Sequence, residues 1–318
     1  MNSRLRLHAR RRTRGAALLI ALLVLTLVAT AAAAMVWHQQ RAIEVEAAER
    51  ARAQAGQILL GALDWARLIM RTDADKAFPP SATWARRLEE SRVSSFLAAD
   101  QSNSADTTLE VFLSGQIDDA QSRYNLRRLM GDDGKPVVAE LAGLRRLCEA
   151  AGASAELADR LADGLLAAWT RASGAAVPPS RVEQLVLLGV AREELALVTP
   201  YLTLLPTRTP VNANTAEAPA LLAAIDKLDL PNAQRIVQAL QRNPAPTINE
   251  LRQLLPPDVA TDEARVDVRS RHFDITARLR FEDRAVEERW LVERKLSERG
   301  PDLQLLRRDR RAVPAGGS

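Results

Sequence analysis

One stretch near the start of the chain carries no charged residue. Ala16 to Val36 reads AALLIALLVLTLVATAAAAMV, 21 residues in which only two threonines interrupt the apolar and small side chains. An α-helix of that length rises about 31 Å, close to the thickness of the hydrocarbon core of a bilayer. The pattern therefore predicts a single transmembrane helix. Its apolar surface includes Ala16, Leu18, Leu19, Leu22, Leu23, Leu25 and Val36.

The charges on either side of this stretch predict its orientation. Residues 1–15 contain six arginines and no acidic residue, whereas Arg41, Glu44 and Glu46 follow the stretch. The positive-inside rule then keeps the N-terminus in the cytoplasm of a bacterial cell, so we expect one pass through the inner membrane and a periplasmic bulk. A cleaved secretory signal peptide is the alternative, because Ala31-Ala32-Ala33 offers an A-x-A site. However, the apolar run exceeds the usual ~7–15 residues.

The helical pattern continues beyond the apolar stretch. No proline occurs from Ile43 to Met70, and small or apolar residues recur at spacings of three and four. We therefore predict one helix of about 55 residues that ends near Arg71–Asp73. The residues of the predicted buried stripe are Ala48, Ala51, Ala55, Leu59, Ala62, Ala66 and Ile69.

The patterns further along predict a small sheet. Trp84–Leu97 has helical spacing, and Thr107–Ile117 alternates enough to be a strand. Phe273–Phe281 alternates almost strictly, and a return strand is expected within Ala285–Lys295, so these two segments predict an antiparallel hairpin. Residues 301–318 are expected to form a disordered tail.

Residues 123–258, between the predicted strands, are almost purely helical in pattern. Glycines and prolines separate the amphipathic segments. The predicted helices are Val137–Ala150, Ala155–Ala172, Arg181–Leu188, Glu193–Val198, Ala216–Leu228 and Ala233–Gln241. The predicted fold class is α+β: a long N-terminal transmembrane helix packed on a small antiparallel sheet, with a large all-α domain inserted between strands.

The composition excludes several classes of function and several kinds of site. The chain has 44 basic and 40 acidic residues, but without the six arginines of residues 1–15 the remainder has 38 basic residues and a net charge of −2. The body is therefore not a basic nucleic-acid-binding protein. A single cysteine, Cys148, excludes an internal disulfide and a multi-cysteine metal site. Three scattered histidines do not suggest a metal centre, and no catalytic triad, acidic pair or phosphate loop is recognisable.

The leader is the first point of resemblance to a known class. An arginine-rich segment that ends at Gly15 and meets Ala16-Ala17-Leu18-Leu19-Ile20 resembles a type IV prepilin-like signal. The resemblance implies that a prepilin peptidase cleaves between Gly15 and Ala16 and that Ala16 then carries a free or methylated amine. Most members of the class have glutamate at the fifth mature position, where this chain has Ile20. In lacking this glutamate, the chain resembles general secretion pathway protein K, a minor pseudopilin of type II secretion.

Two internal segments extend the resemblance to the protein K family. Asp118-Asp119, followed by Tyr124-Asn125-Leu126, resembles the start of the family's helical insertion, and Asn212–Ala216 resembles its N-x-N-T-A segment. The implied domains are a leader (1–15), the transmembrane half of the helix (16–36), a pilin-like domain in two parts (37–122 and 259–300), an inserted helical domain (123–258) and the tail (301–318).

The same resemblance implies a function and partners. The expected function is to cap or initiate the periplasmic pseudopilus that drives export of folded proteins across the outer membrane, without enzymatic activity. The expected partners are other minor pseudopilins in a heterotrimeric tip complex, the major pseudopilin, the inner-membrane secretion platform and the prepilin peptidase. Neither a nucleic acid nor a cofactor is expected, apart from calcium as discussed below.

Two motifs leave alternatives open. Asn212–Ala216 is interpreted as helix capping by Asn214 or Thr215, but similar segments open helix–hairpin–helix DNA-binding modules. The alternative function is therefore a membrane-anchored DNA-binding protein of a competence-like machine, although the turn Leu228–Asn232 lacks the glycine of such modules. Four aspartates are weak calcium candidates or parts of solvated turns. They are Asp118, Asp119, Asp132 and Asp133.

Overall fold

The computed structural model describes residues 6–72, 87–93, 111–281, 284–297 and 300–314. The chain forms two compact units, Met1–Ile58 and Leu59–Ser318. Helix and antiparallel sheet both contribute, as the sequence predicts. The helices are α1 (Arg6–Thr72), α2 (Val138–Ala150), α3 (Ala155–Trp169), α4 (Arg192–Val198), α5 (Ala218–Ala224), α6 (Leu230–Arg242) and α7 (Ile248–Leu254). The strands are β1 (Leu88–Arg92), β2 (Val111–Asp119), β3 (Tyr124–Asn125), β4 (Leu202–Thr203), β5 (Val211–Asn212), β6 (Val266–Asp267), β7 (His272–Phe281), β8 (Arg284–Ser297) and β9 (Gly300–Pro314).

The first unit consists of the N-terminal part of α1. All side chains of residues 16–50 are exposed, including the apolar ones between Ala16 and Val36. The helix is long and apolar enough to cross a membrane. Its end at Thr72 confirms the predicted end. Ala16–Arg71 has 56 residues, in agreement with the predicted length of about 55, and the helix also extends back to Arg6, with 67 residues in all.

The last turns of α1 belong to the second unit and bury one apolar stripe. Leu59, Leu63, Ala66 and Met70 are each at most 3% exposed. The predicted stripe correctly included Leu59 and Ala66, but Ala62 and Ile69 lie at its half-buried margin and Ala48 is exposed. The stripe is rotated toward Leu63 and Met70 because these larger side chains bury more apolar area. Arg71 pairs with Asp302 of β9 at 3.0 Å.

The second unit contains a five-stranded sheet in the order β1-β2-β7-β8-β9, with every pairing antiparallel. β2 and β7 pair along their length although α2 to α7 lie between them in the chain, which confirms the predicted helical insertion. Leu113 of β2 and Ile275, Ala277 and Leu279 of β7 are buried on one face.

The helix predicted for Trp84–Leu97 is wrong where it can be compared. Leu88–Arg92 form β1, which pairs with β2, while residues 84–86 and 94–97 lie outside the described part of the chain. Helical spacing in so short a segment is a weak preference, and the backbone hydrogen bonds offered by the edge of β2 override it.

The disordered tail predicted for residues 301–318 is also wrong for most of its length. Residues 300–314 form β9, and only 315–318 lie outside the described residues. The arginines of β9 meet acids of β8: Arg311 bonds Glu287 at 2.6 Å, and Arg308 bonds the buried Glu288. Leu303 is buried as well, so cross-strand ion pairs and apolar contact hold a segment whose composition suggested disorder.

The inserted region has its own apolar core. Leu144 and Leu147 of α2, and Leu161 and Leu165 of α3, have no exposed surface. At Gly143 a Cβ atom would lie 2.3 Å from the carbonyl oxygen of Ala223, so the close packing of α2 against α5 requires glycine there. Two short parallel pairs, β3 with β4 and β5 with β6, tie distant parts of the region together.

Candidate functional site

A buried polar cluster lies where β2 ends and the helical region begins. We call Asp119, Gln121, Asn212, Thr215 and Ser270 the Asp119 cluster. One carboxylate oxygen of Asp119 accepts hydrogen bonds from Asn212 Nδ2 (2.8 Å), Thr215 Oγ1 (2.6 Å) and Ser270 Oγ (2.6 Å). The other oxygen accepts one from the Gln121 amide at 2.8 Å. The carboxylate thus joins three segments that are far apart in sequence.

The electrostatics of Asp119 favour a structural role. Burial raises the pKa of this carboxyl above its ordinary value, and the hydrogen bonds from Ser270, Thr215, Asn212 and the Gln121 amide oppose that rise. Each of the four contacts to the carboxylate is made by a donor group. The arrangement therefore suits a fixed joint between chain segments.

Asn214 makes a second tie beside the cluster. Its Nδ2 donates to the carbonyl oxygens of Ala245 (2.9 Å) and Val268 (3.0 Å), and its Oδ1 accepts from the Ala245 amide at 2.8 Å. The predicted capping role is wrong, because α5 begins at Ala218 with Glu217 at its cap position and no side-chain cap bond. Buried at 3% exposure, Asn214 satisfies distant backbone groups instead.

The two internal segments that resemble the protein K family meet at this joint. Gln121 Oε1 accepts from the amides of Arg271 (2.7 Å) and His272 (3.1 Å), while its Nε2 donates to Pro210 O at 3.0 Å. Asn125 Nδ2 donates to Thr207 O at 2.7 Å, and Asn125 Oδ1 accepts from the Leu205 amide at 3.1 Å. The side-chain amides of Gln121 and Asn125 therefore hold the first segment against the loop that leads into the second segment.

A buried ionic network deeper in the helical region was not predicted. Glu140 accepts from Arg128 Nη2 at 2.6 Å, lies 3.3 Å from Arg265 Nε, and accepts from Tyr124 Oη at 2.9 Å. Burial first, and then the charge of Glu140, raise the pKa of Tyr124 well above its ordinary value. The sequence signals no such pairing, since the partners come from three separate segments: Tyr124 and Arg128 from the first, Glu140 from the second and Arg265 from the third.

The four calcium candidates do not come together. Asp118 is exposed, whereas the neighbouring Asp119 is buried and engaged by the donors of its cluster. Asp132 lies 3.5 Å from Arg208, and Asp133 accepts from the Lys135 amide in a turn. Within the described ranges, no three His, Cys, Asp or Glu side chains are grouped as metal ligands.

The turn before α6 bears on the DNA-binding alternative. Asp229 precedes α6 and accepts a hydrogen bond from the Asn232 amide at 2.9 Å, so an acid occupies the backbone donor that would face a phosphate. Asp226 in the same connection pairs with Arg146 and Arg265. The geometry therefore favours packing of α5 and α6 over phosphate contact.

Cys148 and His272 have structural surroundings. Cys148 is fully buried in the helical core, and burial raises the pKa of its thiol to about 12. His272 Nδ1 lies 3.3 Å from Gln121 Oε1, which belongs to a segment far away in the chain. Burial lowers the pKa of His272, and neither residue is placed to act as a nucleophile or a base.

The predicted processing site lies inside the first unit. Gly15, Ala16 and Ile20 all lie within α1, and the side chain of Ile20 is exposed. Cleavage between Gly15 and Ala16 stays a prediction, as do the domain boundaries that depend on it. The apolar residues predicted to face lipid are likewise all exposed in the helix.

The fold defines a class: a long, apolar N-terminal helix and an antiparallel sheet into which a helical region is inserted. Residues 211–269 match the family described as type II secretion system (T2SS), protein K. This segment contains Asn212, Asn214 and Thr215, and it ends one residue before Ser270.

A solved structure has the same fold. The chain is similar to a chain of the crystal structure of the GspK-GspI-GspJ complex from the enterotoxigenic Escherichia coli type 2 secretion system, with a TM-score of 0.59 and 16% identity. The similarity covers 83% of this chain and 98% of that chain. A comparison with curated proteins found no match. The two positive findings confirm the resemblance to the protein K family that the sequence predicts.

Proposed function

We propose that this protein is a minor pseudopilin of a type II secretion system, anchored in the inner membrane by α1, with most of the chain in the periplasm. The main support for the proposal is that the segment matching the protein K family overlaps with the Asp119 cluster. The segment that matches the protein K family supplies Asn212 and Thr215, two of the five residues of the Asp119 cluster, and the fold is similar to that of a chain in the GspK-GspI-GspJ complex. The role is structural, with binding to other subunits in place of catalysis.

We further infer that the subunit caps or initiates the pseudopilus and does not repeat along it. An unpaired carboxylate in a membrane helix costs about 2.5–3.5 kcal/mol, so a glutamate at the fifth mature position is favourable only beside a partner such as a neighbour's ammonium. Ile20 removes that requirement, which suits a subunit with no neighbour ahead of it. The bulk of the helical region also opposes close stacking along a filament.

The partners follow from the same comparison. The complex of the similar structure is named for GspK, GspI and GspJ, so we propose two other minor pseudopilins as direct partners, in a discrete complex. The major pseudopilin, the secretion platform and the prepilin peptidase are the remaining expected partners. An exposed apolar surface on the last turns of α1 supports such contacts: Trp65 is 46% and Leu68 61% exposed.

Processing of the N-terminus tests the proposal. The full chain is produced with its cognate prepilin peptidase, and the N-terminal peptide of the membrane fraction is identified by mass spectrometry. We expect a chain that starts at Ala16, and Gly15→Leu should block cleavage because a branched side chain replaces the glycine at the cut site. Gly61→Ala is the matched control, since a Cβ there meets no other atom within 4 Å. A chain that starts near Ala34 would show ordinary signal-peptide removal and contradict the proposal.

A further inference from the structure

Three side chains form a contact group directly after the apolar stretch of α1. The Trp37 and His38 ring centroids are 5.3 Å apart in an edge-on arrangement, and the Arg41 guanidinium carbon lies 5.5 Å from the Trp37 ring centroid. Trp37 is 59% exposed. An amphipathic aromatic ring and a cation are thus held together on one side of the helix, immediately beyond Val36.

The surroundings of Arg41 leave its charge available to an external anion. In the part of the chain that the structure describes, no acidic side chain forms an ion pair with Arg41, although Arg50 of the same helix pairs with Glu46 at 2.5 Å. A guanidinium binds phosphate oxygens through paired N–H donors, and an indole is most stable where apolar and polar media meet. Trp37 offers the indole and Arg41 the guanidinium within one helical turn.

We propose that Trp37, His38 and Arg41 bind the phosphate layer of the membrane leaflet that faces the bulk of the chain, and so fix the depth of α1. The inference depends on the membrane anchoring proposed above. The partner is the glycerophospholipid headgroup: Arg41 binds its phosphate, and the Trp37 ring packs at the level of the ester groups. Fixing the helix at this end sets which residues of Ala16–Val36 lie at the bilayer centre.

Depth-dependent fluorescence quenching tests the proposal on the full chain. The protein is reconstituted in vesicles of phosphatidylethanolamine and phosphatidylglycerol that carry a nitroxide either at the headgroup or at the end of an acyl chain. The Trp37 signal is the difference between the wild type and Trp37→Phe, which removes the contribution of the other tryptophans. We expect headgroup nitroxide to quench this difference signal several-fold more strongly than nitroxide at the chain end.

A charge variant sharpens the test. Arg41→Gln should shift the quenching of Trp37 toward the deep nitroxide because the phosphate contact is lost, whereas Arg50→Gln, whose charge is already paired, should leave it unchanged. Preferential quenching by the deep nitroxide in the wild type, or equal shifts in both variants, would overturn the inference while leaving the anchoring intact. Failure of the protein to float with the vesicles would overturn the proposed anchoring itself.

Discussion

Two apolar regions of this chain have similar residues and opposite surroundings. Ala16–Val36 is built from Leu, Ala and Val and is exposed throughout, whereas Leu144, Leu147 and Leu161 of the helical region have no exposed surface. Apolar area is stabilising only when it leaves water. The helical region removes its own area from water by packing, and the N-terminal helix needs lipid or neighbouring helices to do so.

The polar groups of the two regions differ in the same way. Thr26 and Thr30 donate to carbonyls three residues back in their own helix, at 2.9 Å each, and so need no partner in a bilayer. The second unit instead buries Asp119 and Glu140 and satisfies them with side chains from other segments. One region is therefore self-sufficient in its hydrogen bonds, and the other depends on tertiary structure.

The largest expected effect comes from charging the apolar stretch. Leu22→Arg combined with Leu25→Arg should reduce membrane insertion by about 5–7 kcal/mol, since each arginine costs about 2.5–3.5 kcal/mol near the bilayer centre. Extraction of membranes at alkaline pH measures the effect, and the double variant should move to the soluble fraction. If it stays in the membrane pellet, the stretch is not the anchor.

Breaking the Asp119 cluster should have the next largest effect. Asp119→Ala removes the acceptor of Asn212, Thr215 and Ser270, at about 1–3 kcal/mol for each buried donor left unpaired. Because Asn212 Nδ2 and Thr215 Oγ1 keep second acceptors at 3.0 and 3.4 Å, we expect a loss toward the lower end, roughly 3–5 kcal/mol, in the free energy of unfolding. Asp118→Ala, at the exposed neighbouring position, should change it by less than about 0.5 kcal/mol. Urea unfolding of both variants provides the measurement, and equal effects would contradict the assigned role of Asp119.

Shortening single side chains of β7 to alanine should have a larger effect on stability at the centre of the strand than at its end. Leu279→Ala removes a side chain that is 1% exposed and should cost about 3 kcal/mol, whereas Phe281 is half-buried at the last residue of the strand. Phe281→Ala should therefore cost less than Leu279→Ala in thermal unfolding. The reverse order would show that the end of β7 is the better packed part.

A pH effect should distinguish two buried aspartates. Burial opposes ionisation of Asp274, but Arg123 at 2.5 Å and Arg289 at 2.6 Å outweigh it and lower its pKa. Its contribution to stability is present above its unfolded pKa and is lost as the pH falls through the lower folded value. Asp119, whose pKa is raised, behaves in the opposite way, because its charged form is the less stable one in the fold.

The measurement compares urea unfolding of the wild type and Asp274→Asn across the acidic range. The stability difference of about 2 kcal/mol expected at neutral pH should persist to about pH 5 and shrink below about pH 4. A difference that grows on acidification would contradict the assigned sign.

The smallest effect is expected at Cys148. Its thiol has a pKa of about 12 and is buried, so the native protein should resist alkylation at mildly alkaline pH and react once unfolded. Cys148→Ala should cost only about 1 kcal/mol. Rapid alkylation of the native protein would show that α2 opens readily.

The elements that could be predicted from the sequence are those whose hydrophobic pattern is regular over many residues. The apolar stretch, the end of α1, the alternation of β7 and the starts of α2 and α3 were all readable, because local spacing determines them. β1 and β9 were not, since strand pairing and cross-strand charges decide their structure. Helix α7 was missed as well.

The site was predicted only in part. Asn212, Asn214 and Asp119 were singled out from their segments, but Asn214 was interpreted as a helix cap and Asp119 as a weak calcium candidate or turn residue, and the buried contacts that they share were not foreseen. The structure pairs them with Ser270, Val268 and Ala245, which are 31 to 151 residues away. The local pattern of a single sequence does not indicate contacts between residues so far apart along the chain.

The number of copies per pseudopilus tests the capping role most directly. The full chain and the major pseudopilin, each labelled at a single site, would be counted on isolated pseudopili by single-molecule fluorescence. The account predicts one copy of this subunit, at one end of the filament and together with its two minor partners, whatever the filament length. Copies at regular intervals along the shaft, in numbers that grow with its length, would contradict it.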